Sequence, residues 1–274
     1  MERLLLLRLE AAGCQAEAVL NGVPVASIDA RAAPGTHVAC VPVHEYTLAG
    51  GNRLSLVVNP HPTNLPAGPA PPPPTPQVAD GQTWAKLRLL LPRQGQPASE
   101  NSARTLAQLD WGPAEHEVFE TPLWLHQTLE LPVTFPRWRW LDAPVAELTP
   151  ALKMQALAFL QRLAIDLTRG DPEGFIAAAR LRFEELGLAY QRDPAMDVAR
   201  FRAHVQQLSA SKALRLAPPT AADLVLRPVA DARLLDCLRP DGQPILRTLP
   251  TESGTTHAWP VKLAVVDGQF YVLR

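Results

Sequence analysis

Hydrophobic and polar positions alternate with a period of two through the first half of the chain, and with a helical period through part of the second. Alternation of that kind marks half-buried strands. It predicts strands at Arg3–Leu9, Ala16–Leu20, Val23–Ile28, His37–Val43, Arg53–Val58, Trp84–Leu91 and Ala103–Leu109. A further stretch, Glu117–Phe135, is split at Thr121-Pro122, because proline is confined to strand starts, edges and bulges. Asn21-Gly22 joins two of these strands, and both residues tolerate the positive φ that a tight hairpin needs. Three helices follow. Thr149-Pro150, Asp171-Pro172 and Asp193-Pro194 each place a capping side chain before a proline at the first helical position. Their apolar stripes are Leu152/Ala156/Phe159/Leu163/Leu167, Ile176/Ala179/Phe183/Leu186 and Val198/Phe201/Val205/Leu208, and Gly170 and Gly187 are read as stops for the first two. One-sided stripes need a shared partner surface. The last sixty residues offer it, with alternating segments at Leu214–Ala217, Leu224–Val229, Ala232–Leu238, Pro244–Leu249, Trp259–Val266 and Gln269–Leu273. Asp241-Gly242 and Asp267-Gly268 supply tight turns between antiparallel neighbours. Val261, Leu263 and Val265 share one face there, and Lys262 takes the other.

Strands first and segregated helices after predict an α+β chain of two domains. The expected division is a β-sandwich over 1–145, with a proline-rich loop at 59–80, and an α+β domain of three helices against a bent antiparallel sheet over 146–274. The run Pro71-Pro72-Pro73-Pro74 favours polyproline II and reads as a spacer. Gln94–Ser102 reads as a polar loop.

Two segments carry resemblances. Ala16-Glu17-Ala18-Val19-Leu20-Asn21-Gly22-Val23-Pro24-Val25 and Leu48-Ala49-Gly50-Gly51-Asn52-Arg53-Leu54-Ser55-Leu56 together resemble the galactose-binding-like jelly-roll domain of many glycoside hydrolases. In that family a strand ending in Asn-Gly is followed at similar distance by Gly-x-Asn-x-Leu and another strand. Several strands precede this segment in the family. Here they must come from Trp84–Phe135, or the topology is immunoglobulin-like. The helices and the hairpin Lys262–Leu273, with the junction Leu167-Thr168-Arg169-Gly170-Asp171-Pro172, look like the NTF2-like cone fold. That resemblance implies an apolar pocket, used in the family by dehydratases, isomerases, ligand binders and non-catalytic adaptors, so it selects no single activity.

The chain has 274 residues with a formal net charge of −1. Its basic and acidic residues are interspersed, which gives no electrostatic footprint for nucleic acid. Among its 26 basic residues only four are Lys, and with abundant Ala, Leu and Pro this suggests a GC-rich bacterial genome. Cys14, Cys40 and Cys237 stand far apart and fit a reducing cytoplasm. The start Leu4–Leu7 is too short an apolar run for a signal peptide, and no run reaches membrane-spanning length.

For chemistry, the residues inside a cone would be His257, Tyr271 and His204, weighed with Tyr190 and Asp193; Asp193 is better explained as a helix cap. Glu115-His116-Glu117 with Glu120 and His126 is a mixed cluster, but on a strand His116 points away from its flanking carboxylates, so no metal is expected. Five of the six tryptophans lie between 84 and 140. In Arg137-Trp138-Arg139-Trp140 an extended backbone would set two indoles opposite two guanidiniums, a surface suited to a ligand or protein partner, or else a pair of core plugs. No nucleotide-binding or hydrolase motif occurs, and no cofactor is expected. The expected function is non-catalytic binding of a protein or small-molecule ligand in the cytoplasm, with homodimerisation as an option. A dehydratase or isomerase of the cone type and a carbohydrate-binding module are the alternatives.

Overall fold

A computed structural model describes residues 4–31, 34–60, 75–92, 103–131 and 134–274. The Pro71–Pro74 run and the Gln94–Ser102 loop lie outside these residues. The chain is mixed α+β, with antiparallel sheets and four α-helices among the described residues. It divides into two compact units, which meet along the chain between Arg137 and Trp138.

The first unit holds two four-stranded sheets. In one, β4 (His37–Pro42), β1 (Leu6–Ala12), β7 (Trp84–Pro92) and β8 (Ala103–Trp111) lie in that order. In the other the order is β10 (Leu123–Leu131), β5 (Gly50–Val58), β2 (Gln15–Leu20) and β3 (Val23–Asp29). Alternate residues of the two sheets, such as Leu7, Leu9, Leu87 and Leu89 from one and Ala18, Leu20, Leu54 and Leu56 from the other, form a single core. One face of each strand is committed to that core, which accounts for the alternation in β10, whereas β1, β2, β5 and β7 are buried over part of both faces. The Asn21-Gly22 hairpin forms with φ of 53° and 78°. A strand not expected from the sequence, β6 (Thr75–Val78), falls within the stretch read as loop and pairs with β9 (Val118–Thr121).

The second unit begins with a 3-10 turn at Arg139–Leu141 and continues with α1 (Pro150–Thr168). Thr149 caps α1 by accepting a hydrogen bond from the Leu152 amide. The expected second helix is two: α2 (Glu173–Ala178) and α3 (Arg180–Tyr190), separated where Ala179 leaves helical geometry. α4 (Pro194–Ala210) is capped by Asp193. The helices share one core with an antiparallel sheet ordered β11 (Val225–Val229), β12 (Leu234–Leu238), β15 (Lys262–Val266), β16 (Gln269–Val272), and β13 (Leu246–Arg247) pairs with β14 (Ala258–Trp259). Leu160, Leu163, Leu167, Leu235, Leu263 and Val272 fill the space between them. Leu214–Ala217, expected as a strand, contributes one isolated bridge, Leu216 to Thr248.

Gly187 does not stop the helix. The left-handed residue that ends α3 is Gln191, at φ 50°. Gly187 is buried within α3, where a Cβ would stand 2.6 Å from Pro194 Cγ and 2.9 Å from the Arg192 carbonyl oxygen. Alanine in a helix interior ordinarily gains up to about 1 kcal/mol over glycine. Here the expected sign is reversed. Gly187→Ala should destabilise by about 1–3 kcal/mol through overpacking against the start of α4. Urea denaturation checks this, and an unchanged or raised midpoint would show that the α3–α4 corner yields freely.

Candidate functional site

The outer face of the β4-β1-β7-β8 sheet carries a row of charges that cross-strand pairing brings into line. Arg8 stands opposite Arg88, and Arg88 opposite Gln108. One step along, Glu10 stands opposite Lys86, and Lys86 opposite Asp110. Directly opposed residues in an antiparallel sheet share a face, so their side chains meet. Glu10 accepts hydrogen bonds from Arg8 Nη2 at 2.9 Å and Arg88 Nη2 at 2.5 Å. Asp110 takes Lys86 Nζ at 3.4 Å and Gln108 Nε2 at 2.5 Å. Trp84, Trp111 and Gly112 complete the lining of an open cleft of about 390 Å³ beside Glu10, Lys86, Arg88 and Asp110. The Trp111 ring is fixed edge-on against Phe119 at 5.0 Å.

Burial opposes ionisation of Glu10, but hydrogen bonds and charge from Arg8 and Arg88 outweigh it and hold the carboxyl below its ordinary range. A depressed folded-state pKa adds stability that is fully present above the unfolded value, 4.5, and is lost as pH falls below it. Glu10→Gln should therefore destabilise at neutral pH, and the gap to the parent should close between about pH 6 and pH 3. Thermal unfolding across that range tests this; a gap independent of pH would sink it.

The residues singled out from the sequence lie elsewhere. Trp138 and Trp140 are 0% and 2% exposed, so neither indole is presented to a ligand. Arg137 and Arg139 are exposed, and Arg139 Nη1 bonds Glu184 Oε2 at 2.8 Å. The alternation in that segment thus separates buried indoles from exposed guanidiniums. His204 and His257 meet edge to face, with ring centroids 5.7 Å apart; His204 is exposed and His257 half-buried. Tyr271 lies apart from them, its hydroxyl donating to Gln269 Oε1 at 3.0 Å. Tyr190 is buried, with the Arg192 guanidinium over its ring. Trp124, half exposed, stands 5.8 Å from His126 on β10. Among the described residues no three His, Cys, Asp or Glu side chains are grouped to hold a metal ion.

Lys262 does lie opposite the core-facing row of its strand. There it pairs with Asp236 at 3.4 Å, and Arg227 closes on the same carboxylate at 2.8 Å. Burial pushes the Cys14 thiol up to about 11 and also raises that of the fully enclosed Cys237 well above the ordinary range. Cys40 is exposed. A disulfide reagent at about pH 8 should therefore modify one thiol quickly in the folded chain and all three after denaturation. Fast modification of two or three would contradict the burial.

The cleft itself went unnoticed in the sequence. Its signal is charged or polar residues two apart in three strands, Arg8/Glu10, Lys86/Arg88 and Gln108/Asp110. Each pair alone reads as an ordinary solvated face. Comparison with models of known families, with curated proteins and with solved structures finds no match to this chain. Among the described residues, no helix is long and apolar enough to cross a membrane.

Proposed function

We propose that the protein is a non-catalytic binding protein whose first unit takes a small polar ligand in the cleft beside Trp84 and Lys86. The observation that carries this is the pairing within the cleft: its carboxylates and cations already neutralise one another and are held by the sheet. Such groups can exchange hydrogen bonds with a polar ligand at little reorganisation cost. A concave, indole-edged cleft favours a small ligand over a protein partner. The dehydratase or isomerase alternative has less support, because leucines fill the space between helices and sheet, and Tyr271 stands apart from the two histidines.

The presence of Trp84 beside paired carboxylates, guanidinium and ammonium favours a carbohydrate as the ligand class; Trp111, opposite Ala85 in the register, packs against the core instead. An indole takes the apolar face of a sugar ring, and planar charged groups bond vicinal hydroxyls. This reading accords with a galactose-binding-like β-sandwich for the first unit. A cone-like scaffold remains our reading of the second, and a reducing cytoplasm accords with the exposed free thiol of Cys40. The test is a glycan array with the full chain, followed by titration calorimetry on any hit. Retention of a glycan that is lost in Trp84→Ala and Lys86→Ala, both folded, is expected. A silent array overturns the carbohydrate reading. Binding that survives both substitutions overturns the cleft as its site.

A further inference from the structure

The first unit contains a second, more enclosed cavity, of about 310 Å³. It lies between the two sheets, at the end opposite the charged cleft, where β1 and β8 begin and β7 and β10 finish. Leu5, Leu91, Leu106, Leu129, Leu131 and Phe135 form the apolar part of its lining, and His44, Arg104, Thr105 and Glu130 the polar part. His44 forms part of the wall. Its Nε2 accepts the Leu5 amide at 2.8 Å, and its ring packs on Phe135 at 5.1 Å, so this side is rigid.

Arg104 supplies a guanidinium to this lining. It stands opposite Leu91 in the β7–β8 register, and Leu91 packs against the core, so Arg104 leaves the strand on the core-facing side. It is exposed, and among the described residues it has no ion pair or hydrogen bond. Glu130 also borders the cavity, but its carboxylate lies over Gly50 and Gly51, within 3.2–3.4 Å of where their Cβ atoms would stand. Glu130 faces outward in the alternation of β10, with Leu129 and Leu131 inward. The cavity therefore combines a leucine and phenylalanine wall with an unpaired cation, Arg104, at its rim.

We propose that this cavity binds an amphipathic carboxylate, with its apolar tail among Leu5, Leu129 and Phe135 and its carboxylate on Arg104. A medium-chain fatty acid is the ligand class. The volume is near the lower bound of small-molecule sites, which favours a short tail. A guanidinium forks onto a carboxylate through two parallel bonds, so the charge selects the sign and geometry of the head group. This inference is independent of the charged cleft.

The probes are sodium octanoate and octylamine, which share a tail and differ in head-group sign, titrated into the full chain by calorimetry. Octanoate should bind and octylamine should bind at least tenfold more weakly. Arg104→Gln, at an exposed position, should keep the parental melting temperature and lose octanoate affinity at least tenfold. Leu129→Trp, which fills the cavity, should abolish binding of octanoate while Trp84→Ala leaves it unchanged. Equal binding of the two probes, parental octanoate affinity in Arg104→Gln, or no octanoate binding at millimolar concentration would each overturn the proposal.

Discussion

Replacing Glu185 with alanine is expected to cost about 3–5 kcal/mol of stability, because it strands a buried guanidinium. Glu185 and Arg274 are 3% and 2% exposed. Glu185 Oε2 accepts from Arg274 Nη1 at 2.6 Å, while Oε1 accepts from the Arg139 amide at 2.6 Å. The same guanidinium lies 5.8 Å from the centre of the Trp138 ring and donates to the Leu273 carbonyl. One carboxylate on α3 therefore ties the 3-10 turn at 139–141 to the strand end at 272–274. Losing it deprives the buried guanidinium of this carboxylate and the Arg139 amide of this acceptor. Glu185→Gln should be nearly as harmful, since it keeps the volume but not the charge. The double variant Glu185→Leu with Arg274→Met should lose less than the two single losses added together, because it removes the stranded charge. Urea unfolding followed by tryptophan fluorescence reads this directly, since Trp138 is part of the cluster. If Glu185→Ala shifted the midpoint no more than a surface substitution, or if the double variant were additive, the pair would not act as a buried unit.

That pair shows where sequence reasoning stops. Trp138 and Trp140 announce themselves by composition, and they are buried while Arg137 and Arg139 are exposed, although residues 139–141 form a 3-10 turn and not an extended segment. What buries them is not local. Arg274 and Glu185 are 89 residues apart, and nothing in either neighbourhood distinguishes them from solvated charges. Features set by local chemistry were legible. Pro150 and Pro194 mark the starts of α1 and α4 because each follows a side chain that caps the helix. Asn21-Gly22 and Asp267-Gly268 adopt the positive φ angles that their hairpins demand. Gly187 was misread because a glycine near a helix end has two uses. Chain reversal shows in sequence spacing, whereas close approach of Pro194 shows only in three dimensions. β6 was hidden because Pro76 argues against a strand, and its pairing to β9 is a two-stranded edge ribbon that proline tolerates. The charged cleft was illegible for a different reason. It depends on β1 lying between β4 and β7, a strand order that no local pattern encodes.

The pair of motifs behind the jelly-roll resemblance carries the other large expected effect. Asn21 and Asn52, 31 residues apart, meet: Asn21 Nδ2 donates to Asn52 Oδ1 at 2.8 Å and to the Tyr46 carbonyl at 2.8 Å. Asn52 is 1% exposed and uses its whole amide. Its Oδ1 also accepts the Leu48 amide at 2.8 Å, and its Nδ2 donates to the Leu48 and Gly50 carbonyls at 2.9 and 2.8 Å. Asn21 Oδ1 in turn accepts the Arg53 amide. The two side chains therefore stand in for a missing rung of sheet between the β2–β3 turn and the start of β5. Each such bond contributes about 1 kcal/mol net, and a buried group left unpaired costs about 1–3 kcal/mol. Asn52→Ala breaks four and leaves backbone groups dry, so a loss of about 3–4 kcal/mol is expected. Asn52→Asp is the sharper test. It preserves shape and the Oδ1 acceptor but replaces the two-donor Nδ2 with a carboxylate oxygen facing two carbonyls. The burial and those carbonyls would raise its pKa when folded, so this variant should be least stable at neutral pH and recover part of the loss as pH falls below about 5. The parent should lose stability over the same interval through carboxylates such as Glu10. Opposite slopes for the two proteins in thermal unfolding from about pH 7 to pH 4 are the expected signature. Parallel slopes would mean that water reaches the amide, and that the two asparagines decorate the turn without holding it.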